Sequence, residues 1–334
     1  MGKARLTAFF GILAFSASAH SALINGAGAT FPYPLYSKWI SEFTAKNTDV
    51  RLNYQSMGSG TGISKLIDQT IDFGASDAPM TEEQLKSAPR EVIHVPTVLG
   101  AVALTFNVPG VRELKLSPDV LAAIYLGNIT KWSDAKLKEL NPDLKLPSTP
   151  IILINRSDGS GTTAIFTDYL QKVSPEFKKK VGYGTSVRWP VGLGARGNEG
   201  VTSFVKKTQG AIGYVEFIYA KSNGLAVASI KNSSGVFVNP SVESVSAAAD
   251  GVKIPEDFRV SLTNPESQKA YPISGFTYLL VYKSMSKEKG EPLLKFIQWA
   301  LSEGQTMASA LNYAPLPKSL LPRVKAKVDE INLN

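Results

Sequence analysis

The tetrad Gly-Ser-Gly-Thr stands twice in this 334-residue chain, at 58–61 and at 159–162, each time between a strand-like run and a helix-like one. Ahead of the first copy, Val50, Leu52 and Tyr54 alternate with polar residues; after it, Ile63, Leu66, Ile67 and Ile71 recur at helical spacing. Ahead of the second, Ile151-Ile152-Leu153-Ile154 suits a buried strand, and Ile165, Phe166, Tyr169, Leu170 and Val173 form a helical stripe behind it. Glycine lets the backbone turn tightly at such a junction, and the first helical amides then face the loop without intrahelical partners. Together with the Ser and Thr hydroxyls and the positive helix end, they make a donor cup for an oxyanion. A single cup reads as ordinary helix capping. Two in one chain predict two half-sites that close on one anion.

The same alternation runs through the rest of the chain. Ser117-Pro118-Asp119 predicts a helix start that Gly127 closes, and Pro292 predicts another, with Leu293, Leu294, Ile297, Ala300 and Leu301 as its buried stripe. A short helical pattern at 200–208 precedes the strand-like run 211–215, and 276–282 reads as a further strand. Strands alternating with helices imply α/β layers with mostly parallel sheets. The stretch 222–262, rich in Ser, Asn and Gly, is expected to be loop-heavy.

Lys3 and Arg5 precede an apolar stretch, Leu6 to Phe15, and the small residues Ser16-Ala17-Ser18-Ala19. That order is the pattern of a cleaved secretory signal, assigned here to 1–22, with cleavage after Ala19 or Ala22. The run is shorter than the ~20 residues that span a bilayer. About 310 residues remain, enough for roughly two domains. Cysteine is absent, which excludes thiolate zinc sites and a lipid anchor on a cleavage-site cysteine; a chain of this size buries enough surface without disulfides. The only histidines are His20 and His94, so Ser-His-Asp catalysis and imidazole metal sites lack material. The formal charge of +8 includes two positives in the signal. The basic residues are scattered apart from Lys178-Lys179-Lys180, which reads as a solvated helix end and not as a nucleic-acid patch. A mild positive field concentrates small anions without naming one.

Three further segments carry alternatives. Gly26-Ala27-Gly28-Ala29-Thr30-Phe31-Pro32 precedes a helical stripe of Leu35, Tyr36, Trp39, Ile40 and Phe43, which places Thr30 near a helix entrance. Phe31 then lies at the rim of a site or in the core. Gly192-Leu193-Gly194-Ala195-Arg196-Gly197 matches the dinucleotide fingerprint, with Glu216 at ribose distance. Trp189-Pro190 spoils the strand that motif requires, so a loop packed on a cleft is the expectation. Tyr125, Trp132 and Trp189 read as core aromatics ahead of sugar-stacking residues.

Taken together, these segments resemble a family. Gly26–Pro32, Asn53-Tyr-Gln-Ser-Met-Gly-Ser59, Asp72-Phe-Gly-Ala-Ser-Asp-Ala-Pro79 and Arg156-Ser-Asp-Gly-Ser-Gly-Thr162 are similar to ligand-contacting segments of the periplasmic phosphate-binding proteins of Pst-type ABC transporters. Tyr125–Trp132, Trp189–Gly194 and Gly210–Glu216 resemble further segments, and the likeness runs in order to about Pro317. The resemblance implies an α/β fold of the two-lobed, type II-like periplasmic binding protein kind, with a hinge and an interlobe ligand cleft. Lobe I would comprise 23–100 plus 272–334, and lobe II 101–271. It implies phosphate donors at Thr30, Phe31, Ser59, Ser160, Gly161 and Thr162, the single cation at Arg156, a proton-accepting carboxylate at Asp77, and Asp158 as the acid pairing with Arg156. It also implies a monomer that delivers inorganic phosphate to membrane permease subunits with a cytoplasmic ATPase, without cofactor, metal or nucleic acid.

Asp77 carries the selectivity expectation. Phosphate at neutral pH keeps at least one proton for the carboxylate to accept; sulfate keeps none and would face it acceptor to acceptor. An unsatisfied buried acceptor costs about 1–3 kcal/mol, more when charged. The alternative for Asp77 is a turn cap beside Ala78-Pro79. A secreted phosphatase would need a nucleophile with a base or metals, for which no His or Cys cluster exists. A receptor for sulfate or molybdate would not need Asp77.

Overall fold

The computed structural model describes residues 22–334, so the expected signal segment, apart from Ala22, lies outside the described residues. The principal sheet is mixed, in the order Val50–Ser56, Ala22–Gly28, Phe73–Ser76, Ser274–Tyr282, Val92–Asn107, Ala211–Glu216, Ile152–Arg156, Leu193–Ala195. Its spine is the sixteen-residue strand Val92–Asn107, an almost unbroken apolar run that is buried along its length until Asn107. Residues 92–101 of the spine pair with Ser274–Tyr282, and residues 102–107 pair with Ala211–Glu216. One strand therefore serves two halves of the molecule. Beside the crossing point, the Val102 amide donates to the Ile273 carbonyl at 2.8 Å, where the chain returns.

The expectation of mostly parallel sheets needs correction. The outer strands are parallel in both halves. The strands lying against the spine are antiparallel to it, because a chain that leaves along the spine must run back beside it. Helices cover the sheet where periodicity placed them. Tyr33–Lys46 buries Leu35, Tyr36, Trp39 and Phe43, and Gly197–Lys207 buries Val201 and Val205. Between Ser222 and Leu262 the chain forms only strands of two or three residues and the five-residue helix Val242–Ser246.

Four local readings differ from the sequence expectation. The tetrads do not precede their helices but supply the first turn, since the helices run Ser59–Ile67 and Gly161–Val173. The first of these stops short of Ile71, where Gln69 turns into the left-handed region with φ +56°. Pro292 lies inside a helix, Lys287–Ala300, and does not open it. Its missing N–H leaves the carbonyl of Glu288 without a helical donor, and that residue is exposed to water that can replace it. The fingerprint-like segment is not a loop: Leu193–Ala195 is an edge strand parallel to Ile152–Arg156 and leads directly into the helix Gly197–Lys207. Trp189-Pro190 lies before that strand and so does not interrupt it.

Tyr125 and Trp132 are buried, and Trp189 packs half-buried among Tyr125, Phe166, Phe177 and Tyr214. The ring of Phe166, from the helix behind the second tetrad, stacks on Tyr214 at 4.6 Å between centroids. This aromatic layer fixes that helix against the sheet. Lys178, Lys179 and Lys180 lie exposed at the end of the helix Pro175–Lys180. Among the described residues, no helix is long and apolar enough to cross a membrane.

Candidate functional site

Each half of the sheet ends its strands at the same cleft, and the residues singled out by sequence gather there. In the first half, Gly58 turns the chain from strand into helix with φ +96°, a conformation open to glycine. A Cβ at this position would lie 2.4 Å from Asp158 Oδ2, so the close approach of the two halves also demands the absence of a side chain. The two tetrads meet directly, the Gly60 amide donating to the Gly159 carbonyl at 2.8 Å. Gly161 faces Ser59 and Asp77 so closely that an added Cβ would lie 2.4 Å from Ser59 Oγ and 2.5 Å from Asp77 Oδ2.

Asp77 follows the strand Phe73–Ser76 and is buried. The return strand holds it, Thr277 Oγ1 donating to Oδ1 at 2.7 Å, while Ser59 Oγ accepts from the Asp77 amide at 3.2 Å and donates to Oδ2 at 3.4 Å. The loop after it is pinned by the Met80 amide, which donates to His94 Nε2 at 3.0 Å. Burial pushes the Asp77 carboxyl up to about 7, against the Thr277 bond, the Arg156 charge and the Ser59 hydroxyl, which all favour the ionised form. Oδ1 accepts from Thr277 and Oδ2 from Ser59, and each oxygen keeps a second lone pair; Oδ2, beside Gly161, is the one that faces the other half.

Arg156 ends the strand Ile152–Arg156, its amide donating to Tyr214 Oη at 3.1 Å. Its guanidinium is buried and forks onto Asp158, with Nε to Oδ1 at 2.8 Å and Nη2 to Oδ2 at 2.5 Å; Nη1 donates to Thr162 Oγ1 at 3.2 Å. Burial works against the Asp158 charge, but the bonds and charge of Arg156 and the Gly197 amide outweigh it and hold the carboxyl below its usual range. A fixed guanidinium of this kind presents a planar donor face to an oxyanion.

The remaining expected residues divide. Ser160 caps its helix, Oγ accepting from the Thr163 amide at 3.0 Å, and its own amide donates to the Thr185 carbonyl at 2.8 Å; only its hydroxyl proton is uncommitted. Gly161 and Thr162 occupy the first helical turn, and Ser59 does so in the other half, where amides have no intrahelical acceptor. The Phe31 ring lies in the core, edge-on to Tyr313, whose hydroxyl donates to the Phe31 carbonyl at 2.6 Å. Of the two placements open to Phe31, its side chain takes the core. The Thr30 carbonyl accepts from Tyr219 Oη at 2.6 Å.

Sequence reasoning passed over Asn198. It stands in the first turn of the helix behind the fingerprint-like segment, and its amide group reaches both Thr30 and Thr162. The strand–glycine–helix signal that marks the tetrads is also present at Gly194–Gly197, where the expectation of a loop hides it. Glu216 is not exposed for a ribose: it is buried at the end of its strand, caps the helix Phe217–Ser222 by accepting from the Ile218 amide at 2.7 Å, and burial pushes its carboxyl well above the usual range. Among the described residues, no group of three or more His, Cys, Asp or Glu side chains is placed to hold a metal ion.

Comparison with known proteins agrees with this architecture. Residues 16–304 match the model of the PBP superfamily domain. The chain is 46% identical over 309 residues to the phosphate-binding protein PstS of Haemophilus influenzae, covering 91% of this chain and 92% of that one. It is 44% identical over 318 residues to the phosphate-binding protein PstS of Pasteurella multocida, covering 94% and 92%. A crystal structure of a phosphate-binding protein from Stenotrophomonas maltophilia superposes with a TM-score of 0.72 at 20% identity, over 91% of this chain and 93% of that one, a likeness of fold. With a fold of that kind, and with two relatives above 40% identity along nearly its whole length, the chain belongs to the PstS phosphate-binding protein family of the PBP superfamily.

Proposed function

We propose that this protein binds inorganic phosphate in the periplasm, after export through its N-terminal signal, and delivers it to permease subunits of an ABC transporter driven by a cytoplasmic ATPase. It acts as a monomer and performs no chemistry on its ligand. Lobe I comprises 23–100 plus 272–334 and lobe II 101–271. The strands at the crossing point form the hinge, and ligand biases the lobes toward closure because donors come from both. Thr30, Phe31, Ser59, Ser160, Gly161 and Thr162 donate, Arg156 supplies the positive charge, and Asp158 fixes its orientation.

The observation that carries this reading is the company Asp77 keeps. A buried carboxyl with a lone pair still open on the oxygen that faces the other half sits among hydroxyls and helix-start amides beside a forked guanidinium. A tetrahedral oxyanion that brings its own proton satisfies that set; one without a proton leaves two acceptors opposed in a dehydrated cleft. Calorimetry with phosphate, sulfate and a phosphomonoester tests it. Tight binding of phosphate alone is expected, and sulfate binding at comparable strength would overturn the reading. Incubation with phosphomonoesters should release no phosphate; turnover would make the protein an enzyme.

A further inference from the structure

Asn198 is fully committed. Its side-chain Oδ1 accepts from the Glu216 amide at 2.8 Å, which fixes the amide so that Nδ2 faces the cleft. Both Nδ2 protons are then spent on hydroxyl oxygens, one on Thr30 Oγ1 at 2.7 Å and the other on Thr162 Oγ1 at 3.2 Å. The Asn198 backbone amide adds a second bond to Thr30 Oγ1 at 3.2 Å, and Arg156 Nη1 adds a second to Thr162 Oγ1 at 3.2 Å. A hydroxyl has two lone pairs and one proton. At both threonines the lone pairs face nitrogen donors, and neither hydroxyl has a protein acceptor for its proton among the described residues.

From this we infer that Asn198 is a positioning residue that sets hydrogen-bond direction: it holds the hydroxyls of Thr30 and Thr162, one from each half of the cleft, as donors toward the ligand. The inference rests on the assignment of these two threonines to the phosphate site. A free hydroxyl beside an anion is adaptable and can turn to accept from a neighbour. One whose lone pairs are filled has a single use left, and its proton is already aimed when the anion arrives. The same side chain ties the two halves together. It is buried, and it belongs to the second half through the helix Gly197–Lys207 while its shortest bond reaches Thr30 in the first. Asn198 also leaves Asp77 as the acceptor offered to the ligand, because two hydroxyls that could have accepted are denied that role.

The test is a double-mutant cycle read by calorimetry with inorganic phosphate. Asn198→Asp keeps the size and the bond from the Glu216 amide but replaces the Nδ2 donors with an acceptor. The threonine protons should then turn inward to the new carboxylate, and phosphate affinity should fall about tenfold or more, the scale of one charge-assisted bond. Asn198→Ala frees the hydroxyls without reversing them and should cost less. In the Thr30→Val, Thr162→Val background the loss caused by Asn198→Asp should shrink sharply, since no hydroxyl remains to be turned. If the full loss persists in that background, plain charge repulsion explains it and the inference fails; equal losses for Asn198→Asp and Asn198→Ala also overturn it. If Asn198→Asp does not fold, Asn198→Ala runs the same cycle, where non-additivity with the Thr→Val changes supports the inference and strict additivity refutes it. The site assignment has its own readout: Thr30→Val and Thr162→Val that bind phosphate like the parent would remove these residues from the site, whatever Asn198 does.

Discussion

Alanine at Gly161 would put a methyl carbon 2.4 Å from Ser59 Oγ, 2.5 Å from Asp77 Oδ2 and 2.6 Å from Asp77 Cβ. The Ser59 hydroxyl can rotate away, but Asp77 Cβ cannot, because the residue follows a buried strand and is held by Thr277. The two halves must therefore separate at this point. Overpacking of this severity costs about 1–3 kcal/mol, which at about 1.4 kcal/mol per tenfold corresponds to a loss of phosphate affinity of roughly five- to more than a hundredfold. The cost should fall on closure and not on folding, since Gly161 meets these atoms only across the cleft. Calorimetry should show the weakened binding, thermal unfolding without ligand should be nearly unchanged, and scattering should show a smaller contraction with phosphate than the parent undergoes. Gly62→Ala is the contrast: its methyl would lie 2.6 Å from Gly28 Cα and 2.8 Å from the Ala27 carbonyl oxygen, within one half, so it should lower the unfolding temperature. A Gly161→Ala variant that binds and contracts like the parent would refute the wedge argument and the cleft with it.

Arg156→Ala removes the buried cation and strands Asp158 without its partner; with charge-assisted bonds at about 1.5–3 kcal/mol each, calorimetry should show phosphate binding weakened by at least about tenfold, whereas Lys178→Ala to Lys180→Ala at an exposed helix end should leave it unchanged. Asp77→Asn should lower the ratio of phosphate to sulfate affinity, because the new amide can donate to sulfate; an unchanged ratio in competition calorimetry would leave Asp77 a turn residue. Stability should also report on Asp77: its folded-state value of about 7 exceeds the ordinary 3.8, so the folded protein holds an extra proton between these limits and loses stability as pH rises from about 4 to about 7. His94, held down to about 4 first by burial and then by the Arg259 charge, works in the opposite sense up to its ordinary 6.5. Comparing parent and Asp77→Asn by ligand-free denaturation at pH 5 and pH 8 cancels His94, and the parent should lose more; parallel curves would refute the assignment.

Much of this cleft could be read from local sequence, because a strand, a glycine turn and a helix start lie within a dozen residues of one another. The tetrads at 58–61 and 159–162 pointed to the cleft through their own chemistry. What escaped was information carried by distant pairings. Thr277 meets Asp77 two hundred residues away. Tyr313 meets the Phe31 carbonyl across 282 residues, and Asn198 meets Thr30 across 168, and no periodicity signals such meetings. The antiparallel strands beside the spine escaped for a related reason: alternation of strands with helices records local connections, whereas strand direction here follows from where the chain crosses and returns. The resemblance to a family supplied the lobes and the ligand set; composition and spacing alone went no further than an exported α/β chain with an anion cleft.

The spine strand Val92–Asn107 has a consequence for how the chain must be assembled. Its first part cannot complete its pairing until Ser274–Tyr282 has been synthesised, since Leu99 waits for Phe276 and, in the neighbouring ladder, Ser76 waits for Tyr278. The partners of its last part, Ala211–Glu216, arrive some sixty residues sooner. Long loop closures of this kind are slow, because chain entropy is spent before the contacts that offset it exist. The amino-terminal half should therefore be the last to lock, even though it leaves the ribosome first. Export, where a chain undergoes it, gains from such an order, because translocation through a narrow channel requires an unlocked polypeptide, and a late return strand keeps the leading segments open until nearly all of the molecule has been made.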